Sequence, residues 1–479
     1  MKDREWLGWV FGVAGEVVVR SKRPGFADDS WNEKTPGRCN RSRISLLWRG
    51  VPKIILMVIP SSPLSGTSSE VRHQFLEPLR AVYDHATTIR QCPAESDWDW
   101  LTKGVDRVVS NVRSGRDFLQ SFQMFWSREV QVGPYFETLA SPRRLSMVAE
   151  CSALLRQRVD ALRLSPLSQF ESLASFDLYA GDGHYLEHAT HDPVIGETRW
   201  PTGHFFALNL KSQSLFPLVL ADLVERKKEH DLRALKRQSV AMLRQGAGKG
   251  RKVLWVWDKA GVDFPFWQER KASGIYFLSL RKEGMCLEVE TERVIEVTQP
   301  INQGVTADRV LTDRRGLRVR EITFCNPCDG EVYVYLTTEM TLEPGLLALL
   351  YKTRWEIEKV FDETKTKLAE KKSWATTTTA KEMQSHFVAI VHNLLLLLQD
   401  WHRQQGVENT AEIQRRQKRL DQQESELKKT GRTLPLVYRI LQRFTQATFK
   451  LIRWLRVHWH QPTPLAQALL QLRSLYARL

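Results

Sequence analysis

Residues 253–257 of the stretch KVLWVWDKAG form an unbroken apolar run. Such a run suits a strand covered on both faces, and strands of that kind belong to parallel sheets flanked by helices. This segment points to the α/β class and puts Asp258 directly at a strand's carboxyl end. Open α/β sheets gather their sites outside the carboxyl ends of strands, so Asp258 is a candidate functional carboxylate.

Upstream, FDLYAGDGHYLEH alternates apolar residues at Phe176, Leu178 and Ala180, and Asp182 follows on the same parity. The pattern predicts a strand with one buried face and a carboxylate on that face. Gly181 and Gly183 flank the acid and are expected to let a phosphate chain approach closely. HFFALNL and SLFPLVL, joined by the polar KSQ, predict two further strands of an antiparallel meander. LVERKKEHDLRALKRQSVAMLRQG reads as one helix ending near Gly246, with Leu232, Leu235, Val240, Met242 and Leu243 on its apolar side. A helix in VDFPFWQERKASG and a fifth strand, IYFLSL, come after Asp258.

The stretch YKTRWEIEKVFDETK begins at Tyr351, just after LEPGLLALL, whose Pro344 suits a first helical turn. No Pro or Gly interrupts residues 346–372, which predicts a helix of several turns. At about 100° per residue, Tyr351, Arg354, Glu358 and Lys365 fall on one narrow stripe. A solvated helix with i,i+4 ion pairs is the ordinary alternative, and Asp362 also lies near the stripe. The spacing Y-x2-R-x3-E-x6-K resembles the signature of bacterial insertion-sequence DDE transposases of the insertion-sequence-four type.

That resemblance implies an RNase H-like catalytic core in which the first and fourth strands are neighbours. It implies a catalytic, metal-binding triad of Asp182, Asp258 and Glu358, with Asp177, Asp192 and Asp263 as rival carboxylates. The expected cofactor is Mg²⁺, with Mn²⁺ as a substitute; hard cations of this kind take oxygen ligands and keep waters and substrate phosphates. Two such ions relieve charge on the attacking and leaving oxygens of a phosphodiester. Arg354 and Lys365 are implied to grip phosphates, Tyr351 to donate a hydrogen bond to another, and Trp355 to brace an extruded base. Packing in the core is an equal reading for Trp355. Residues 282–320 contain no aromatic, so the partner aromatic of a hairpin step is missing there.

A net charge of +15 and a pI near 9.6 favour a polyanionic partner. Residues 401–479 carry 15 Lys plus Arg against 5 Asp plus Glu. Trp401, Trp454 and Trp459 are interleaved there, so this tail is a candidate contact for DNA or a partner subunit. Six cysteines are scattered. Only Cys325 and Cys328 have ligand-like spacing; without a second pair they read as a turn between strands. His184, His188 and His191 are read as solvated or DNA-facing at a strand end rather than as zinc ligands. Nothing suggests a disulfide framework or a secretory signal, and FVAIVHNLLLLLQ is too short to span a membrane and reads as a buried helix. These features predict a soluble, cytoplasmic protein, and the resemblance implies a bacterial, nucleoid-associated one.

The organisation expected is an irregular segment over 1–70, with a helical DNA-binding region over 71–170. An RNase H-like core begins at 171–281, a β-rich insertion covers 282–340, and the signature helix lies in 341–372. A basic helical region over 373–479 closes the chain. The function expected is transposition: cleavage at element ends in double-stranded DNA and strand transfer to a target, by at least a homodimer. A related nuclease that cuts without joining, and a transposase-derived DNA-binding protein without catalysis, are the alternatives.

Overall fold

The computed structural model describes residues 69–479 except 91–94, 113, 127–130, 164–165, 195–196, 222–228, 327, 369, 441–448 and 479. The expectation for residues 1–70 therefore lies almost wholly outside the described residues. Among the described residues five helices come first: α1 (Glu70–Tyr83), α2 (Asp97–Ser110), α3 (Gly115–Trp126), α4 (Val132–Leu139) and α5 (Pro142–Leu162). Ser69, Ser96 and Ser141 each cap a helix through a side-chain oxygen, and Pro142 occupies the first turn of α5.

The middle of the chain is a mixed sheet of nine strands. The meander is β1 (Phe176–Leu186), β2 (Thr202–Asn209) and β3 (Leu215–Leu220). The single helix expected next is instead two short ones, α6 (Asp231–Lys236) and α7 (Val240–Arg244), because Ser239 caps a fresh start by accepting from Met242 N–H. Then come β4 (Lys252–Val256), α8 (Phe264–Lys271) and β5 (Ile275–Leu280). The insertion supplies β6 (Glu288–Glu292), β7 (Val305–Thr312), β8 (Arg318–Cys325) and β9 (Val332–Thr337). It extends the same sheet: the order is β3-β2-β1-β4-β5-β9-β8-β7-β6, with β9 antiparallel to β5. β1, β4 and β5 run parallel, and β1 is the strand at which direction reverses toward β2.

Two further helices, α9 (Pro344–Thr353) and α10 (Trp355–Asp362), cross one face of the sheet. Leu346, Leu347, Leu350 and Ile357 pack there on Leu178, Ala180, Leu254 and Val256. The other face is covered by α6–α8, through Leu235, Leu243, Phe266 and Trp267 against Val253, Trp255 and Phe277. Residues 253–257 are thus buried on both sides, as the run requires.

The last helices are α11 (Thr378–Gln404), α12 (Thr410–Lys429), α13 (Leu436–Ile440), α14 (Phe449–His458) and α15 (Leu465–Ala477). Thr377, within the run of four threonines at 376–379, caps α11, and residues 387–398 of that helix are buried. Among the described residues no helix is long and apolar enough to cross a membrane. Helices from both ends of the chain share one apolar cluster, in which Phe75, Trp100 and Leu155 meet Phe387, Trp454 and Leu472. Trp454 and Trp459 are buried and Trp401 packs partly against the same cluster, so the tail's tryptophans serve packing rather than an exposed stacking surface. Cys325 ends β8 and Cys328 lies in the turn that leads to β9, close to the expected turn between strands.

Candidate active site

Asp182 and Asp258 stand at matching positions of neighbouring parallel strands. Ala180 pairs with Val256, and each acid lies two residues beyond. β4 stops at Val256, whereas β1 continues to Leu186 with β2 alone beside it, so Asp182 lies where the sheet opens on one side. Asp182 Oδ1 accepts from Gly183 N–H at 2.8 Å. Burial pushes its carboxyl up to about 6; Arg354 and the Gly183 N–H oppose the rise, while Asp231 and Glu358 add to it. Asp258 caps the turn Lys259–Gly261, its Oδ1 accepting from Ala260 N–H at 2.8 Å, and Ser279 Oγ donates to its carbonyl at 2.7 Å.

The two glycines beside Asp182 do not open a path for phosphate. A Cβ on Gly181 would stand 1.8 Å from the Trp257 indole, and one on Gly183 would meet Phe205, Tyr185 and Asp231 at 3.0–3.3 Å. Trp257, 1% exposed, is wedged between Gly181 and Gly261 and so pins the Asp258 turn against β1. The glycines serve close packing on the face opposite Asp182.

The signature segment is not one straight helix. It breaks at Arg354, where Arg354 N–H bonds to Tyr351 O and Ile357 N–H to Arg354 O in three-residue turns. After α10 it widens into a π turn over Glu363–Lys367. Thr353 and Thr364 each return a hydroxyl to the carbonyl four residues back, Leu349 O and Val360 O, a bond that bends helices. Arg354 nonetheless reaches both acids: Nη2 is 2.7 Å from Glu358 Oε1 and Nη1 is 3.8 Å from Asp182 Oδ2. The guanidinium is buried, and its Nε has no hydrogen-bond partner among the described residues. Tyr351 is buried against Tyr335 and lies 5.7 Å from the Arg354 guanidinium. Trp355 is 56% exposed, which removes the core-packing reading.

The structure therefore brings Asp182, Glu358, Arg354 and Tyr351 together and places Asp258 on the adjoining strand end. Lys365 lies on the π turn, half-buried, and its charge bears on His184. Among the described residues no group of three or more His, Cys, Asp or Glu side chains is placed to hold a metal ion. The rivals are committed elsewhere: Asp177 to Arg251, Asp192 to Lys381 and Ala189 N–H, Asp263 to Lys236 and Phe266 N–H. Asp362 is exposed and holds Thr366.

Two neighbours escaped sequence reasoning. His184 is buried rather than solvated, with its ring centroid 4.7 Å from that of Phe361, and neither ring nitrogen has a partner among the described residues. Its parity with Asp182 on β1 carried the signal. Asp231, at the start of α6, carried none, being brought near by tertiary packing alone.

Residues 160–394 match the family model of the transposase DDE domain. No curated protein matches the chain. The match runs from the end of α5 into α11, so Asp182, Asp258, Glu358 and strands β6–β9 all lie within the matched residues. It supports a transposase function.

Proposed function

We propose that the chain is a DNA transposase of the insertion-sequence-four type, with Asp182, Asp258 and Glu358 as a DDE triad on an RNase H-like core. The observation that carries this reading is the convergence of Asp182 and Glu358 on one buried guanidinium inside the DDE-domain match. The strand order and the parallel β1–β4 pair support the RNase H-like reading.

The donor set suits a hard divalent cation such as Mg²⁺ or Mn²⁺: it is all carboxylate oxygen, and Asp182 is buried enough to favour a cation beside it. Asp182, Asp258 and Glu358 would hold the ions, which when bound relieve charge at attacking and leaving phosphodiester oxygens. Arg354 holds Asp182 and Glu358 near each other, and its guanidinium is the group assigned to meet a phosphate oxygen. Lys365 adds a cation on the same side, and exposed Trp355 offers a stacking surface for an unpaired base. The partners are double-stranded element ends and target DNA, engaged by a homodimer.

The test is incubation with Mg²⁺ and DNA bearing the element's terminal repeats. Cleavage and strand transfer are expected. Asp182→Asn, Asp258→Asn and Glu358→Gln should each lower cleavage by on the order of a thousandfold or more, with DNA binding retained. A variant that cuts at the wild-type rate removes its residue from the triad; binding without nicking by the unaltered chain overturns the catalytic reading.

A further inference from the structure

The basic tail is not evenly available to a partner. Arg456 donates to the carbonyls of Val109 and Lys367, Arg473 to those of Gln405 and Gly406, and Arg439 pairs with Glu424. Those cations tie helices together. Helix α12 differs. Asn409 caps it, Ala411 in its first turn is buried, and beyond that turn it rests on the molecule through one thin stripe, Arg416, Leu420, Glu424 and Leu427, while the other side chains are exposed.

At about 100° per residue, Arg415, Lys418, Gln422 and Lys429 fall within an arc of roughly 60° opposite that stripe, with Arg419 about 40° beyond it. All five are exposed. Among the described residues Lys418, Arg419 and Lys429 have no ion-pair partner, and Arg415 has only Glu412 at 3.8 Å. The arc is on the order of 21 Å long at ~1.5 Å per residue, a reach that spans several phosphates of a duplex strand. Two acids border this face, Glu426 beside Arg419 and Glu412 paired with Arg415.

We propose that the outward face of α12 is a sequence-independent DNA-contact surface, gripping backbone phosphates through Arg415, Lys418, Arg419 and Lys429. It rests on the reading of the chain as DNA-acting and names a part of the molecule that does the holding apart from the carboxylates. Its chemistry is charge without a stacking ring, since the helix has no aromatic, so it fits backbone phosphates rather than unpaired bases.

The experiment uses the full chain, a random-sequence duplex and EDTA, so that binding is read without cleavage, as affinity against salt concentration. Changing Arg415, Lys418, Arg419 and Lys429 together to Gln should weaken binding by at least about tenfold and flatten the log–log salt slope by about 3, near 0.9 per lost phosphate contact. Lys418→Glu with Arg419→Glu, a lighter change on the same exposed face, should act in the same direction. Arg309→Ala with Arg318→Ala removes cations paired with Glu292 and Glu290 and should leave binding within about twofold. An unchanged slope in the α12 variants, or an equal loss in the control, overturns the proposal. Intact DNA binding together with loss of a dimer in sedimentation also overturns it, making the face a subunit contact. Nicking by the unaltered chain with Mg²⁺ is scored separately: duplex binding through α12 without nicking leaves this surface standing and removes the catalytic reading.

Discussion

Leu178, Leu254 and Val256 of β1 and β4 lie between layers of aliphatic and aromatic side chains, whereas the outer strands of the same sheet are laced with charge. On β7 and β8, Arg320 grips both oxygens of Asp308 at 2.7 and 2.8 Å and donates to Leu342 O. Arg281 and Arg309 close on Glu321, Arg309 on Glu292, and Arg318 on Glu290. β6, at the sheet edge, is exposed along its whole length and carries Glu288, Glu290 and Glu292, charges that discourage edge-to-edge pairing. The inner half is thus held by apolar burial, and the outer half adds cross-strand ion pairs. Buried carboxylates of the outer half are matched by arginines, whereas Asp182 lies in the inner half, where burial makes its charge costly.

The sharpest way to break this contrast is Arg320→Leu. Both partners are almost fully buried, so the change strands Asp308 with only Arg293 at 3.3 Å. The expected loss is about 3–5 kcal/mol in urea unfolding. Adding Asp308→Val should recover most of it, because a buried pair replaced by apolar side chains is near neutral. If the single change costs under about 1 kcal/mol, the outer half does not depend on that pair.

Asp182→Asn probes the other half with the opposite sign. A carboxyl whose folded pKa is raised to about 6 from 3.8 weakens the fold whenever it is ionised. That cost is full above pH 6 and disappears as pH falls from 6 through 3.8. Metal-free protein should therefore gain stability on acidification from pH 7 to 5. Asp182→Asn should remove that gain and stabilise the metal-free chain at pH 7 by up to about 3 kcal/mol while abolishing cleavage. A flat difference between variant and wild type across this window would show that Arg354 already compensates the charge.

Gly181→Ala comes next. Its new methyl would drive into Trp257, at a cost of about 1–3 kcal/mol in thermal or urea unfolding. Trp257→Leu in the same chain should relieve part of the overlap.

These positions also mark how far the sequence could be read. The run at 253–257 and the parity of Phe176, Leu178, Ala180 and Asp182 were legible because burial on two faces or one leaves a direct pattern in a strand. The meeting of Arg354 with Glu358 was legible because four residues are one helical turn. The break at Arg354 was not: no Gly or Pro marks it, and the Thr353 hydroxyl bonds back to Leu349 O beside it, as the Thr364 hydroxyl bonds back to Val360 O at the π turn. Gly181 was legible as a close approach, but not that an indole makes it. Nor was the pairing of β9 with β5, which rests on partners far apart in the chain; local alternation predicted strands and was silent about which sheet received them.

Arg318→Ala should have the smallest effect and is the most direct check on the outer half's chemistry. Arg318 Nε lies 2.7 Å from Glu290 Oε2, but the side chains are 59% and 39% exposed. Water already solvates both ions there, so the pair contributes about 0.2–1 kcal/mol and should fade as salt screens it. Unfolding of Arg318→Ala and wild type at low and high ionic strength should therefore converge. Failure to converge would mean that Arg318 contributes through its aliphatic stem packing on the strand rather than through charge. The outer half would then be held by the same apolar burial as the inner one, and the contrast between them would rest on Asp308 and Arg320 alone.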